Sequence, residues 1–204
     1  MATEQQAKAP ASKINLRALV AFALVTFVVY LLDQGTKLAI VSNLADGEQV
    51  RAIGELLQFH LVNNSGAAFS IASGATWVFS IAATAVTIFI LVFARRIRTA
   101  SWAVLFGMLL GGTTGNLTDR LFREPGFGVG HVVDFIQVFG FPAIFNIADS
   151  FIVASMGLFM ILTIRGIRLD GKRVVVRQPA PIGDETNDTL AEPGHPFERT
   201  TETK

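Results

Sequence analysis

The stretch Gly130-His-Val-Val-Asp134-Phe-Ile-Gln-Val-Phe-Gly140-Phe-Pro142-Ala-Ile-Phe-Asn146-Ile-Ala-Asp149-Ser-Phe-Ile-Val-Ala154 sets two carboxylates in hydrophobic sequence with no lysine or arginine beside either. Its second half opens an apolar run, Ala143 to Ile164, long enough to cross a hydrocarbon core of about 30 Å, which takes roughly 20 helical residues. An ionised acid is expensive at such a boundary, so each of the two is a functional candidate by default.

Three further stretches, near Leu16 to Leu32, Trp77 to Ala94 and Trp102 to Leu117, are similarly apolar. The 204-residue chain is 51% hydrophobic and holds 17 phenylalanines. That is too apolar for one small soluble domain, and the bilayer is the expected solvent. The first run is short if it stops at Asp33, but a helix continuing through Asp33-Gln-Gly-Thr-Lys37 supplies the missing turns. No Ala-x-Ala-like site ends it, which favours a retained span over a cleaved signal. The expected fold class is a mainly α membrane protein with four transmembrane helices.

Basic residues orient those helices. Lys8, Lys13 and Arg17 precede or open the first span, Arg95, Arg96 and Arg98 lie between the second and third, and Arg165, Arg168, Lys172, Arg173 and Arg177 follow the fourth. The positive-inside rule makes these segments and both termini cytoplasmic, leaving residues 38–76 and 119–142 external. The chain then divides into a polar N-terminus (1–13), a membrane domain (14–168) and a polar tail (169–204), with both ends expected to be largely disordered. Between the first two spans, Leu56-Leu-Gln-Phe-His-Leu-Val-Asn63 and its Gly-rich continuation suggest short strands in a small external sheet.

Gly140 and Pro142 separate the two acids and permit the chain to turn back, which allows Asp134 and Asp149 to converge. Converging carboxyls share one proton because two adjacent negative charges oppose each other. The ionised member can take a proton from an attacking water while the protonated member bonds to an amide carbonyl. The alternative is that each acid separately caps a helix or pairs with a base such as Arg120. In Gly111-Gly-Thr-Thr-Gly-Asn116-Leu-Thr-Asp119-Arg120, Asn116 and Arg120 share a helical face, as do Asn146 and Asp149 further on. Arg120 could clamp a substrate carbonyl or hold an acid, whereas Asp119 reads more readily as an ion-pair partner. Asn63-Asn-Ser-Gly66-Ala-Ala-Phe-Ser70 offers amide donors to an extended peptide, though alone it is ordinary turn chemistry. Gly111 and Gly112 read as close-packing positions.

Taken together, the pattern resembles the lipoprotein signal peptidase, or signal peptidase II, family over roughly residues 16 to 165. Five ordered motifs carry the likeness: Asp33-Gln-Gly-Thr-Lys37, Asn64-Ser-Gly-Ala-Ala-Phe-Ser70, Gly111 to Arg120, Val132-Val-Asp134-Phe135 and Phe145-Asn146-Ile-Ala-Asp149-Ser150. The resemblance implies an aspartyl endopeptidase of the bacterial cytoplasmic membrane, with its active site at the external face. It would remove signal peptides from diacylglyceryl-modified prolipoproteins immediately before the lipidated cysteine. It also implies a small external β-sheet cradle and a mobile external segment near the site. By the same likeness Asp134 and Asp149 are the catalytic pair, Asn64, Gly66, Asn116, Arg120 and Asn146 line the substrate cleft, and Asp33 and Lys37 support them. Thr118 departs from the apolar residue expected at its position.

Other chemistries find less in the sequence. His60, His131 and His195 are scattered and form no His-Glu-x-x-His, so neither a metal nor another cofactor is expected. Zero cysteines remove thiolate nucleophiles and disulfides, and no Ser-x-x-Lys or Gly-x-Ser-x-Gly motif supports a serine nucleophile. The basic clusters lack interleaved aromatics, which argues against nucleic acid. The expected partners are the prolipoprotein and membrane lipids, with no obligate protein partner. The alternative function is a small proton- or cation-handling transporter; a noncatalytic assembly factor is a further rival.

Overall fold

The structure is a computed structural model that describes residues 15–66 and 76–170. The polar N-terminus, residues 67–75 with the end of the Asn-Ser-Gly motif, and most of the tail, including His195, lie outside the described residues.

Four helices and three strands follow in the order α1 (Leu16–Asn43), β1 (Gln49–Ile53), β2 (Leu57–Asn64), α2 (Thr76–Phe93), α3 (Ala100–Phe122), β3 (Val132–Val138) and α4 (Ile147–Ile164). Asn15 starts α1 by accepting a hydrogen bond from the Ala18 amide at 3.3 Å, which satisfies one of the unpaired donors of a helix N-terminus. The helix then runs through Asp33 and Lys37 without a break, as the sequence predicts.

Three helices, α1, α2 with its following turn, and α4, are long and apolar enough to cross a membrane. The third helix, α3, has the length at 23 residues but less hydropathy, because Gly111 to Arg120 interrupt its apolar surface. Its position explains the difference: α3 packs against α1, α2 and α4 and presents less of itself to lipid. The burial pattern is inverted relative to a soluble protein. Asp33, Lys37 and Asn146 are 0% exposed, while Phe27, Phe89, Val92, Val153 and Met160 are exposed. Lipid accepts those apolar side chains, and charged groups withdraw into the bundle.

Glycine allows that withdrawal. Gly107, Gly111 and Gly115 form a four-residue repeat along α3 that faces Val25, Val29 and Asp33 on α1. A Cβ at Gly107 would lie 2.8 Å from the Val25 Cβ, one at Gly111 would lie 2.7 Å from the Val29 Cβ, and one at Gly115 would overlap the Asp33 carboxylate. On the neighbouring face a Cβ at Gly112 would sit 2.6 Å from the Ala148 carbonyl oxygen of α4. Small residues at such seams let membrane helices approach closely.

The sheet is antiparallel in the order β1-β2-β3, with Val62 opposite Asp134 and Asn64 opposite Val132. It is joined to α1 by a cluster of Ile40, Leu61, Val133 and Phe135. Two expectations need adjustment. The sequence predicts strands only between the first two spans, whereas Val132 to Val138 supplies a third. The last helix begins at Ile147 rather than Ala143, because the preceding residues form the turn that leads out of β3.

Candidate active site

The turn after β3 builds the centre of the site. Gly140 adopts φ +78°, a left-handed conformation that favours glycine. The returning chain pairs Phe145 with Ile136, the Phe145 amide donating to the Ile136 carbonyl at 3.1 Å and the Ile136 amide to the Phe145 carbonyl at 2.7 Å. Asn146 is thereby delivered beside Asp134, and α4 starts directly after it.

Asn146 meets both acids. Its Oδ1 accepts from the Asp149 amide at 3.0 Å, and the Asp149 carboxylate accepts from the Asn146 amide at 3.2 Å, which forms a capping box. With Oδ1 committed to a donor, Nδ2 faces the other way and donates to Asp134 Oδ1 at 2.7 Å. Helix capping and convergence, alternatives at the level of sequence, are one arrangement here: Asp149 caps its own helix through the residue that holds Asp134.

Each acid has a second amide partner. Asn64 Nδ2, from β2, donates to Asp134 Oδ2 at 2.8 Å, and Asn116 Nδ2, from α3, donates to Asp149 Oδ1 at 2.8 Å. Asn116 Oδ1 in turn accepts from Lys37 Nζ at 2.9 Å and Asn146 Nδ2 at 3.1 Å. Asp134 is 3% exposed. Burial pushes its carboxyl up from 3.8 to about 6; the nearby Asp149 charge adds to the rise, while the Asn64 and Asn146 amides and the Lys37 charge oppose it.

Beneath the acids lies a charged cluster that the sequence reading found only in part. Lys37 Nζ lies 2.9 Å from Asp33 Oδ2 and 2.7 Å from Asp119 Oδ2. Asp33 Oδ1 accepts from the Ala148 amide at 2.9 Å, tying α1 to the first turn of α4. Asp119 also accepts from Arg123 Nε at 2.7 Å and from the Val133 amide at 3.3 Å, tying α3 to β3. Gln34 joins Asp33 at 3.0 Å and the Gly115 carbonyl at 3.1 Å. Asp119 thus fits the ion-pair reading, and Gln34 and Arg123 are additions that only the tertiary contacts reveal.

Arg120 stands apart from that cluster. Its guanidinium lies 5.2 Å from the Phe79 ring centre, and Nη2 reaches the Gly66 carbonyl at 3.4 Å. Among the described residues its Nη1 is buried without a hydrogen-bond partner, a costly state unless another group supplies one. Gly66 is held by its own amide donating to Asn64 Oδ1 at 3.0 Å. Beside Asp149 opens an apolar groove of about 440 Å³ lined by Val138, Phe141, Ala143, Phe145 and Val153. Thr118, the departure from expectation, donates to the Thr114 carbonyl within its own helix at 2.8 Å. Among the described residues no group of three His, Asp or Glu side chains is arranged to hold a metal.

Comparison with known proteins gives this arrangement its family. The family described as Signal peptidase (SPase) II matches residues 25–165. The lipoprotein signal peptidase of Leifsonia xyli is 57% identical over 180 residues, covering 86% of this chain and 83% of the relative. That of Mycobacterium tuberculosis is 46% identical over 162 residues, covering 79% and 78%. A bacterial membrane enzyme solved by the in meso method at 1.9 Å superposes with a TM-score of 0.64 at 28% identity, covering 76% of this chain and 98% of that one. The chain belongs to the signal peptidase II family of aspartic-type proteases. These relatives lend no support to the transporter alternative.

Proposed function

We propose that Asp134 and Asp149 are the catalytic pair of an endopeptidase that cleaves diacylglyceryl-modified prolipoproteins immediately before the lipidated cysteine. The observation that carries this reading is Asn146, which bonds to both acids and so brings a strand residue and a helix residue to one point. The pair shares one proton. Its ionised member takes a proton from water as the water oxygen bonds to the scissile carbonyl carbon, and its protonated member hydrogen-bonds to the carbonyl oxygen. Collapse of the tetrahedral intermediate breaks the C–N bond. The amine leaves with a proton delivered by the pair, giving a free carboxyl on the signal peptide and a free amino group on the cysteine.

The remaining residues divide by what they touch. Asn64, Asn116 and Asn146 line the cleft and hold the carboxylates in place. Arg120 offers Nη1, unpartnered among the described residues, to a substrate carbonyl, and Gly66 presents backbone beside it. Asp33 and Lys37 support Asn116 and the start of α4 from below.

The lipid on the substrate accounts for a site inside a membrane bundle. Each buried methylene favours membrane residence by about 0.8 kcal/mol, so a soluble protease would have to extract a strongly anchored substrate. A site at the end of the helices meets the scissile bond where it lies, and the apolar groove beside Asp149 suits apolar substrate groups. The host membrane is then the bacterial cytoplasmic membrane, with residues 14–168 as the peptidase domain, both polar ends cytoplasmic and the acids at the external face.

The test is cleavage of a purified diacylglyceryl prolipoprotein beside the same precursor without lipid, with products read by mass. Cleavage of the lipidated form alone, directly before the modified cysteine, is expected. Equal cleavage of both contradicts the lipid requirement, and cleavage of neither removes the proposed substrate.

A further inference from the structure

At the end of the bundle opposite Asp134, α2 finishes, α3 begins and α4 ends in one basic neighbourhood. A cavity of about 440 Å³ opens there, lined by Arg96, Arg98, Trp102, Arg168, Leu169 and Asp170. Its walls are fixed by contacts between elements. Asn15 Nδ2 donates to the Arg98 carbonyl at 2.7 Å, and Trp102 Nε1 donates to the Ile167 carbonyl at 3.2 Å. The Trp102 ring stacks on Phe106 and meets Phe159 edge-on, and the Arg96 guanidinium lies 5.7 Å from the Phe93 ring centre.

The position of the cavity follows from its surroundings. Phe89, Val92, Phe159, Met160 and Ile164 are exposed on the helices leading to it, so lipid chains run up to this level. Arg95, Arg96, Arg98, Arg165 and Arg168 then follow within the two segments that end these helices, with Asp170 as the one carboxylate among them. Apolar helix surface followed by arginines and a tryptophan marks the headgroup layer. Orientation by the positive-inside rule needs only the charges; it does not need a cavity with a tryptophan wall.

We propose that this cavity binds the phosphodiester headgroup of an anionic membrane phospholipid such as phosphatidylglycerol. Arg96 and Arg168 meet the phosphate through planar guanidinium forks, while Trp102 and Leu169 offer apolar surface to the glycerol and first acyl carbons. Basic pockets between membrane helices take anionic headgroups in this way. Trp102 and Leu169 give the lipid apolar contacts that free phosphate lacks, which selects the lipid. The site is remote from Asp134 and Asp149 and does not depend on their roles.

Native mass spectrometry of the full-length protein in detergent provides the test, with phosphatidylglycerol, phosphatidylcholine and inorganic phosphate as separate probes. Wild type is expected to retain phosphatidylglycerol in preference to phosphatidylcholine, with no displacement by excess phosphate. Each arginine is worth roughly fivefold in such binding, so the double variant Arg96→Gln/Arg168→Gln should lose about 25-fold. Prolipoprotein cleavage reports whether each variant is folded. Arg168→Lys, which keeps the charge and loses the fork, should show a smaller loss and serves if the double variant does not fold. Equal retention of the two lipids by wild type overturns the proposal without recourse to any variant. Unchanged phosphatidylglycerol retention in an active double variant overturns it as well, and full displacement by inorganic phosphate reassigns the cavity to a soluble anion.

Discussion

Lys37 Nζ lies 2.9 Å from Asn116 Oδ1, and this contact decides which way the Asn116 amide faces. An ammonium has donors only, so Oδ1 turns toward Lys37 and Nδ2 is left to donate to Asp149 Oδ1 at 2.8 Å. The Asp149 amide fixes Asn146 by the same logic, turning its Nδ2 toward Asp134. Both carboxylates are therefore held by amides whose orientation is set one residue further back.

Lys37→Met should fail chiefly as a folding variant. It leaves Asp33 buried without its cation and Asp119 with Arg123 alone, and breaking a buried pair costs about 3–5 kcal/mol. Asn116→Ala should instead remain folded and cleave about tenfold more slowly or worse, which corresponds to one hydrogen bond of roughly 1.4 kcal/mol. Yield of monodisperse protein and cleavage rate, measured on both variants, separate the two effects; a well-folded, fully active Lys37→Met contradicts the positioning role.

Two glycines predict opposite outcomes. Gly115→Ala drives a methyl into the Asp33 carboxylate and should abolish folded protein, whereas a Cβ at Gly35 meets nothing within 4 Å. Gly35 lies inside α1, where alanine is favoured over glycine by about 0.5–1 kcal/mol, so Gly35→Ala should raise the melting midpoint slightly. Equal tolerance of both substitutions contradicts the close α1–α3 seam.

Asp134 lies on β3, and burial raises its carboxyl from 3.8 to about 6. Between these values the folded chain binds a proton that the unfolded chain has released. The associated stability is full below 3.8 and is lost as pH rises through about 6. The melting midpoint of wild type minus that of Asp134→Asn should therefore be larger near pH 4 than near pH 7. A difference independent of pH would show that the carboxyl is not raised.

Arg120→Gln removes the charged donor whose Nη1 has no partner among the described residues. Charged hydrogen bonds contribute about 1.5–3 kcal/mol, so kcat/KM should fall by roughly 10- to 100-fold while the protein remains folded. Unchanged kcat/KM would restrict Arg120 to its contacts with Gly66 and Phe79.

The helices were legible because bilayer thickness imposes a length that apolar runs reveal directly, and α1 was extended correctly through Asp33 and Lys37. The strand around Asp134 was not, because Val132 to Val138 merges with the apolar run after it and pairs with β2 across some seventy residues. Its alternation was a usable signal: Val133 and Phe135 enter the core while Asp134 between them meets Asn64 and Asn146. The Lys37–Asp119 pair depends on how α1 lies against α3, which no local pattern states. The spacing of Gly107, Gly111 and Gly115 is visible in the sequence and indicates that seam, yet only Gly111 and its neighbour Gly112 suggested packing. Asp134, Asp149, Asn116 and Arg120 stand out in the sequence because polar groups are conspicuous in a chain this apolar, whereas roles for Asp33, Asn64 and Asn146 come from the family resemblance.

The central claim is that Asp134 and Asp149 act together on the scissile bond. The most direct measurement is cleavage of a diacylglyceryl prolipoprotein by Asp134→Asn and by Asp149→Asn, each checked for a wild-type melting profile at a pH where Asp134 is protonated. Each substitution should reduce the rate by about 10²–10⁴-fold, the range for loss of a general acid or base. A folded variant of either kind that cleaves at the wild-type rate would contradict the shared-proton pair.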